Sequence, residues 1–367
     1  MLRGIGKLGN ANRHWSVAEG ANVSRKPQGL VDKATFRQLF SEDYPLTDSE
    51  AKVLLAKHDL GRLLRFTQLR GGFTNSVFHC ETTRGEDYVL KIQFRAANET
   101  LRIERDVTSL LRNELPVAPL CILDEDRDVV PHPCLISSRL PGELAEVIFE
   151  SSGHEVRLEL SRRLGEILAT IHSTTATSRP ELPASLYCLN RWRENVIHGL
   201  TDLPEMKEAF QAIDSEFFPR LYELLDHMPQ IHVDEELCLV WGDPKFHNFL
   251  VLPDEGTMRP SGVFDFQTAG IGNPVFDTWY LEGNFRRSQA DGIYRDQDYV
   301  GACFSGYSAI RGRMPAISEQ ERRLCDVVLK ANGGRWWWVT AGILPPRMGD
   351  VLNDVLDDLE WLKVNAG

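Results

Sequence analysis

Apolar and polar positions along the chain change period more than once, and the changes divide it. The stretch TDSEAKVLLAKHDLG predicts a helix: Thr47 and Glu50 stand at capping-box spacing, Val53, Leu54 and His58 follow at helical intervals, and Gly61 sits at the expected C-cap. The period then falls to two. RFTQLRGGFTNSVFHCETTRGEDYVLKIQF reads as three strands joined by a glycine-bearing turn and by an Arg84–Gly85 turn. In the third strand Tyr88, Leu90 and Ile92 take one face, while Val89, Lys91 and Gln93 take the other. A helical stripe returns at Ile103, Val107, Leu110 and Leu111, and a further strand runs through LISSRLPGE into a turn at Pro141–Gly142. Beyond it Val156, Leu160, Leu164, Ile167, Leu168 and Ile171 mark one face of a helix of several turns. Two short apolar strands then interrupt the helical half, in LVWGDPKFHNFLV (Leu239 to Val251) and in SGVFDFQTAG.

Strands first and helices afterwards predict an α+β chain of two lobes. The smaller lobe, residues 41–138, is an antiparallel sheet with one main helix; the larger, residues 139–367, is mainly helical. Residues 1–40 read as a poorly ordered N-terminal extension, basic at Arg3, Lys7, Arg13, Arg25 and Lys26, and a transit peptide is the other reading. At 367 residues the chain exceeds the ~100–200 of one domain, which agrees with two lobes.

Composition narrows the function. A net charge of −12 argues against nucleic acid as the partner, because that binding runs on Lys and Arg neutralising phosphates. No run approaches the ~18 apolar residues of a membrane span, so no membrane partner is expected. Seven scattered cysteines without C-x-x-C spacing predict reduced thiols and a cytoplasmic location. The sequence gives no oligomeric state.

Chemistry concentrates in a few places. The first turn holds Gly71, Gly72, Thr74, Asn75 and Ser76, residue types that serve a plain hairpin or a phosphate cradle equally. Lys91, on the strand that follows, is either solvated or placed to reach phosphates held by that turn. Glu104, thirteen residues on, either pairs with Lys91 or belongs to a solvated face with Arg102 and Arg105. Asp243, Asn248 and Asp265 stand at the ends of the two short strands or in the loop between them. Phosphoryl transfer needs such a set: a carboxylate to orient the attacking hydroxyl and accept its proton, and an amide with a second carboxylate to hold magnesium. His172, in the last turn of its helix, reads as a structural hydrogen-bonding residue.

From about Leu63 to Asp277 the chain resembles the aminoglycoside phosphotransferase and choline-kinase-like branch of the protein-kinase-like superfamily, on WGDPKFHN and VFDFQTAGIGNPVFD; the DFQ variant is similar to ecdysteroid-kinase-like relatives. The resemblance implies a two-lobed kinase-like fold and an ATP- and Mg2+-dependent transfer of the γ-phosphoryl group to a hydroxyl of a small molecule. It makes Asp243 the catalytic carboxylate and Asn248 and Asp265 the magnesium ligands. Lys91 then contacts the ATP phosphates with Glu104 as its ion-pair partner, Ile136 to Ser138 line adenine, and Asp277 braces the catalytic loop. Two departures stand out: Trp241 replaces the usual histidine before Gly-Asp, and the first turn lacks a full G-x-G-x-x-G. A protein kinase needs a peptide platform, yet eleven residues separate Asp265 from Asp277. A pseudokinase that binds nucleotide without turnover is the alternative, and the complete acid set speaks against it. Trp279, Tyr280, Glu282 and Trp336, with Trp337 and Trp338 beside it, are candidates to line the acceptor pocket; aromatic faces beside an acid favour an amine or quaternary ammonium, while Arg286 and Arg287 suit an anion.

Overall fold

A computed structural model describes residues 44–365, apart from 70–73, 95–99, 180, 230, 232, 234–235, 289–296, 342–343 and 345–346; at 286–288, 297 and 339–341 it describes backbone alone. The N-terminal extension, Gly71 and Gly72 therefore lie outside the described residues.

Helix α1 (Asp48–Lys57) starts on the expected capping box: Thr47 Oγ1 accepts from Glu50 N at 3.2 Å and Glu50 Oε2 accepts from Thr47 N at 2.7 Å. Its buried face is Ala51, Leu54 and Leu55; of the predicted stripe Leu54 is buried and His58 half-buried, whereas Val53 is 48% exposed. Three consecutive apolar residues cannot by themselves say which faces inward; packing against the core residues Leu60 and Leu63 decides it. Strands β1 (Leu63–Leu69), β2 (Asn75–Thr82), β3 (Asp87–Gln93), β4 (Cys121–Asp124) and β5 (Cys134–Ser138) form one antiparallel sheet in the order β1-β2-β3-β5-β4. Helix α2 (Thr100–Leu110) buries Leu101, Glu104, Val107 and Thr108. Tyr88, Leu90 and Ile92 face the core of this lobe, as their parity predicts.

The chain leaves the sheet at Ser138, turns at Gly142 and joins a second sheet through β6 (Glu143–Leu144). Gly142 has φ +112°, and a Cβ there would stand 2.4 Å from Ser261 Oγ and 2.6 Å from the Val251 carbonyl oxygen; only glycine fits this passage. Helices α3 (Ala145–Ser151), α4 (His154–His172), α5 (Trp192–Thr201), α6 (Pro204–Ile213) and α7 (Phe217–His227) follow, then β7 (Cys238–Val240), β8 (Phe249–Asp254), β9 (Thr257–Val263) and β10 (Gly270–Gly272). Helices α8 (Pro274–Ser288), α9 (Gln297–Arg311), α10 (Glu319–Ala341) and α11 (Met348–Asn365) complete the lobe. Strand β8 pairs with β6 and β9, and β7 with β10. The α4 stripe predicted from sequence buries Leu160, Leu164, Ile167, Leu168 and Ile171. The architecture is thus the expected α+β arrangement of an antiparallel-sheet lobe and a mainly helical one. No described helix is long and apolar enough to cross a membrane. All seven cysteines are free: Cys80 and Cys134 lie buried in the sheet lobe, Cys188, Cys238, Cys303 and Cys325 lie buried in the helical lobe, and Cys121 is half-buried.

Candidate active site

Backbone geometry brings the predicted acids together. Gly242 has φ +82°, and a Cβ on it would lie 2.7 Å from the Thr268 carbonyl oxygen, so the turn before Asp243 can press against the segment after Asp265 only because it carries no side chain. Asp265 itself sits at φ +63°, a left-handed conformation that Asp tolerates better than most residues. The buried Trp241 fixes its position: the indole Nε1 donates to the Asp265 carbonyl oxygen at 3.2 Å, and the ring lies 5.8 Å from that of Phe266. The tryptophan that departs from the histidine pattern therefore ties the loop to the segment between β9 and β10 that bears Asp265.

Asp277 receives the loop from below. Its Oδ2 accepts from Trp241 N at 2.6 Å and its Oδ1 from Gly242 N at 2.8 Å, while His172 Nε2 lies 3.0 Å from Oδ2 and His172 Nδ1 lies 2.9 Å from the Tyr307 hydroxyl. Both Asp277 and His172 are fully buried. Truncating Asp277 to alanine leaves two buried amides without an acceptor at about 1–3 kcal/mol each, so the unfolding free energy should fall by at least about 2 kcal/mol in chemical denaturation.

The Asp243 carboxylate is held from both sides. Lys245 Nζ lies 2.6 Å from Oδ2, Asn248 Nδ2 donates to Oδ2 at 3.3 Å and to the Asp243 carbonyl oxygen at 2.9 Å, and the Tyr280 hydroxyl donates to Oδ1 at 3.1 Å. With its NH2 group turned to Asp243, Asn248 presents an oxygen as its remaining ligand atom. From the sheet lobe, Lys91 Nζ meets both Glu104 oxygens at 2.8 Å and Asp265 Oδ1 at 3.2 Å. Burial disfavours the ammonium, but Asp265 and Glu104 outweigh it and raise the Lys91 pKa, whereas burial pushes the Glu104 carboxyl up. Of the two readings open for Glu104, the ion pair is the one observed. An amide oxygen and a carboxylate are hard oxygen donors of the kind Mg2+ takes, so Asn248 and Asp265 fit that ion.

Other candidates are placed differently. Thr74 Oγ1 accepts from Asn75 Nδ2 at 2.9 Å, and Ser76 Oγ accepts from Tyr44 N at 2.6 Å, fully buried. The Ile136 side chain is fully buried in the core of the sheet lobe, with its backbone paired to Leu90 and Ile122. A nucleotide can therefore meet this strand only near Ser138, whose hydroxyl accepts from Leu120 N at 3.3 Å. Trp279 and Trp338 pack on the helical core, while Trp336 is 36% exposed on α10 against Trp337. Glu282 is ion-paired to Arg322 at 2.8 Å, so the acid expected to draw a cation is already neutralised. Arg286 and Arg287 lie among the residues described by backbone alone. Sequence reasoning missed Lys245, Gln267 and Tyr187; Tyr187 stacks on Phe276 at 4.2 Å and 8°, and Phe276 stacks on Tyr280 at 6.1 Å and 17°. Burial, with Asp243 and Asp277 near, raises the Tyr187 hydroxyl pKa. The DPK triplet, with a cation two residues past the acid, was the available signal for Lys245.

Residues 65–313 match the profile described as "Phosphotransferase enzyme family". Homoserine kinase of Burkholderia multivorans is 26% identical over 305 residues, 80% of this chain and 84% of that protein. The crystal structure of a putative aminoglycoside phosphotransferase from Ralstonia eutropha JMP134 is similar with a TM-score of 0.56 at 18% identity, over 87% of this chain and 97% of the other. The streptomycin–ATP ternary complex of APH(2")-IIa gives a TM-score of 0.54 at 17% identity, over 86% and 99%.

Proposed function

We infer the reaction from the premise that this chain belongs to the phosphotransferase enzyme family: transfer of the γ-phosphoryl group of ATP, with magnesium, to a hydroxyl of a small molecule. The observation that carries this reading is Lys91, which reaches from the sheet lobe to Asp265 of the helical lobe at 3.2 Å while Glu104 holds it, beside the loop that carries Asp243 and Asn248.

Each residue then has a task. Asp243 orients the acceptor hydroxyl and takes its proton; Lys245 and Asn248 hold its Oδ2, which leaves Oδ1 as the working oxygen. Lys91 is a point charge for the phosphates, kept extended by Glu104. Asn248 and Asp265 hold magnesium, which when bound neutralises charge on the phosphates. Such a site works by positioning and charge, because little covalent chemistry falls to the protein. On this reading the nucleotide lies between residues 41–138 and 139–367, and free, mostly buried thiols support a cytoplasmic enzyme.

Tyr280 donates to the working oxygen, so Tyr280→Phe, which keeps the ring beside Phe276, should lower kcat about tenfold and leave nucleotide affinity unchanged. Equal losses in kcat and nucleotide affinity would count against the Asp243 assignment.

For the acceptor we propose a small hydroxylated molecule bearing an amine. With Glu282 neutralised by Arg322, a cation-attracting acid no longer supports a quaternary ammonium, and the homoserine kinases move an amino-acid alcohol ahead of larger acceptors. An ADP-release screen at fixed magnesium-ATP across homoserine, amino alcohols, aminoglycosides, macrolides, sugars and hydroxy acids tests this. Turnover with acidic or uncharged acceptors alone overturns the amine; nucleotide binding without turnover on any acceptor points to a sensor instead.

A further inference from the structure

One contact between the lobes lies outside the roles assigned so far. Asn75 opens β2 directly after the first turn and is 5% exposed; Gln267 follows Asp265 by two residues. Asn75 Nδ2 donates to Gln267 Oε1 at 3.2 Å across 192 positions of sequence. Two facing carboxamides can exchange two hydrogen bonds, since each carries an NH2 and an oxygen. Here one is made, and Asn75 Oδ1 and Gln267 Nε2 are both buried without a partner among the described residues. Rotating either amide does not help: turning Asn75 sets oxygen against oxygen, and turning Gln267 sets NH2 against NH2. Native structures rarely keep buried polar atoms unpaired, and those that do commonly answer to a ligand.

The surroundings define which ligand. Gln267 Nε2 can only donate, so its partner must offer an acceptor oxygen. The amide pair joins the segment bearing Asp265, which Lys91 grips at 3.2 Å, to the end of the turn bearing Thr74. An anionic oxygen brought in against Lys91 meets that requirement, and phosphate oxygens accept without donating.

We propose that Gln267 is a phosphate-binding residue of the nucleotide site: its Nε2 donates to a polyphosphate oxygen while its Oε1 stays bonded to Asn75. The amide pair thereby clasps Thr74 and Asn75 to the Asp265 segment over the same phosphates. This rests on the reading that a nucleotide binds between the lobes, and it adds the residue that joins them there. Asn75 Oδ1 is left for a water drawn in with the nucleotide.

The test is calorimetric titration of the full chain with ADP and with adenosine, both without metal, so that no turnover is needed. Gln267→Glu keeps an oxygen for Asn75 and replaces the donor by an anion; Gln267→Leu removes the donor without adding charge. Both should bind ADP at least about tenfold more weakly than the parent chain with adenosine affinity unchanged, and Gln267→Glu, which buries an anion near Asp265, should lower the melting temperature more than Gln267→Leu, in which Asn75 Nδ2 keeps only Thr74 Oγ1. Asn75→Ala should weaken ADP by a smaller factor. Unchanged ADP affinity in Gln267→Leu, or parallel losses for ADP and adenosine, overturns the clasp while the nucleotide site stands. A parent chain that binds neither ligand overturns both readings.

Discussion

Asp243→Asn should lower turnover by a factor on the order of 10² or more and leave nucleotide affinity close to that of the parent chain. The substitution keeps the shape of the side chain and one of its two oxygens, so one of the Asn248 and Tyr280 donors keeps an acceptor while the other meets an NH2, and Asn248 retains its bond to the 243 carbonyl oxygen. It removes the proposed base: a carboxamide oxygen does not take a proton from an alcohol. It also removes the anion that Lys245 holds at 2.6 Å, which frees that ammonium near the transferring group. Measuring kcat beside the dissociation constant for ADP separates the two sites. Turnover within a few-fold of the parent chain would remove Asp243 from the reaction.

Lys91→Ala has the second large effect, and the structure changes what it should look like. A lysine placed by strand parity alone could be truncated with little loss of stability. Here Lys91 is the cation between Glu104, itself 4% exposed, and Asp265. Its removal leaves one carboxylate buried next to another, a loss on the order of 3–5 kcal/mol when a buried pair is broken on one side. Turnover should fall by a factor on the order of 10² with it, because in the proposed reaction the phosphates lose their fixed point charge. The double variant Lys91→Ala with Glu104→Gln separates the two consequences. Neutralising the stranded acid should restore most of the melting temperature while turnover stays low. Recovery of both together would make Lys91 a structural residue.

The sequence was most legible where chemistry and local period coincide. Lys91 could be placed because a strand alternates strictly, and Asp243 and Asn248 because a short loop fixes their spacing. The capping box at Thr47 was readable for the same reason. What escaped are pairings across long separations, on which local periodicity carries no information: Asn75 with Gln267, His172 with Asp277 and Glu282 with Arg322. The last of these bears on the acceptor reading, since an acid beside aromatic residues looks available until its partner, forty positions away, is seen. The stripe of α1 failed on a smaller scale, because a run of apolar residues names a buried helix without naming its face.

Four of the buried thiols, Cys80, Cys134, Cys303 and Cys325, amount to a set of dormant clocks. Burial pushes the Cys80 thiol up to about 12 and raises those of Cys134, Cys303 and Cys325 as well, so an alkylating reagent can reach their thiolates only through an opening of the fold. Two of these four belong to the sheet lobe and two to the helical lobe. The order in which they are labelled therefore dates local opening in each half separately, and a nucleotide that fastens the halves together should slow both sets in step.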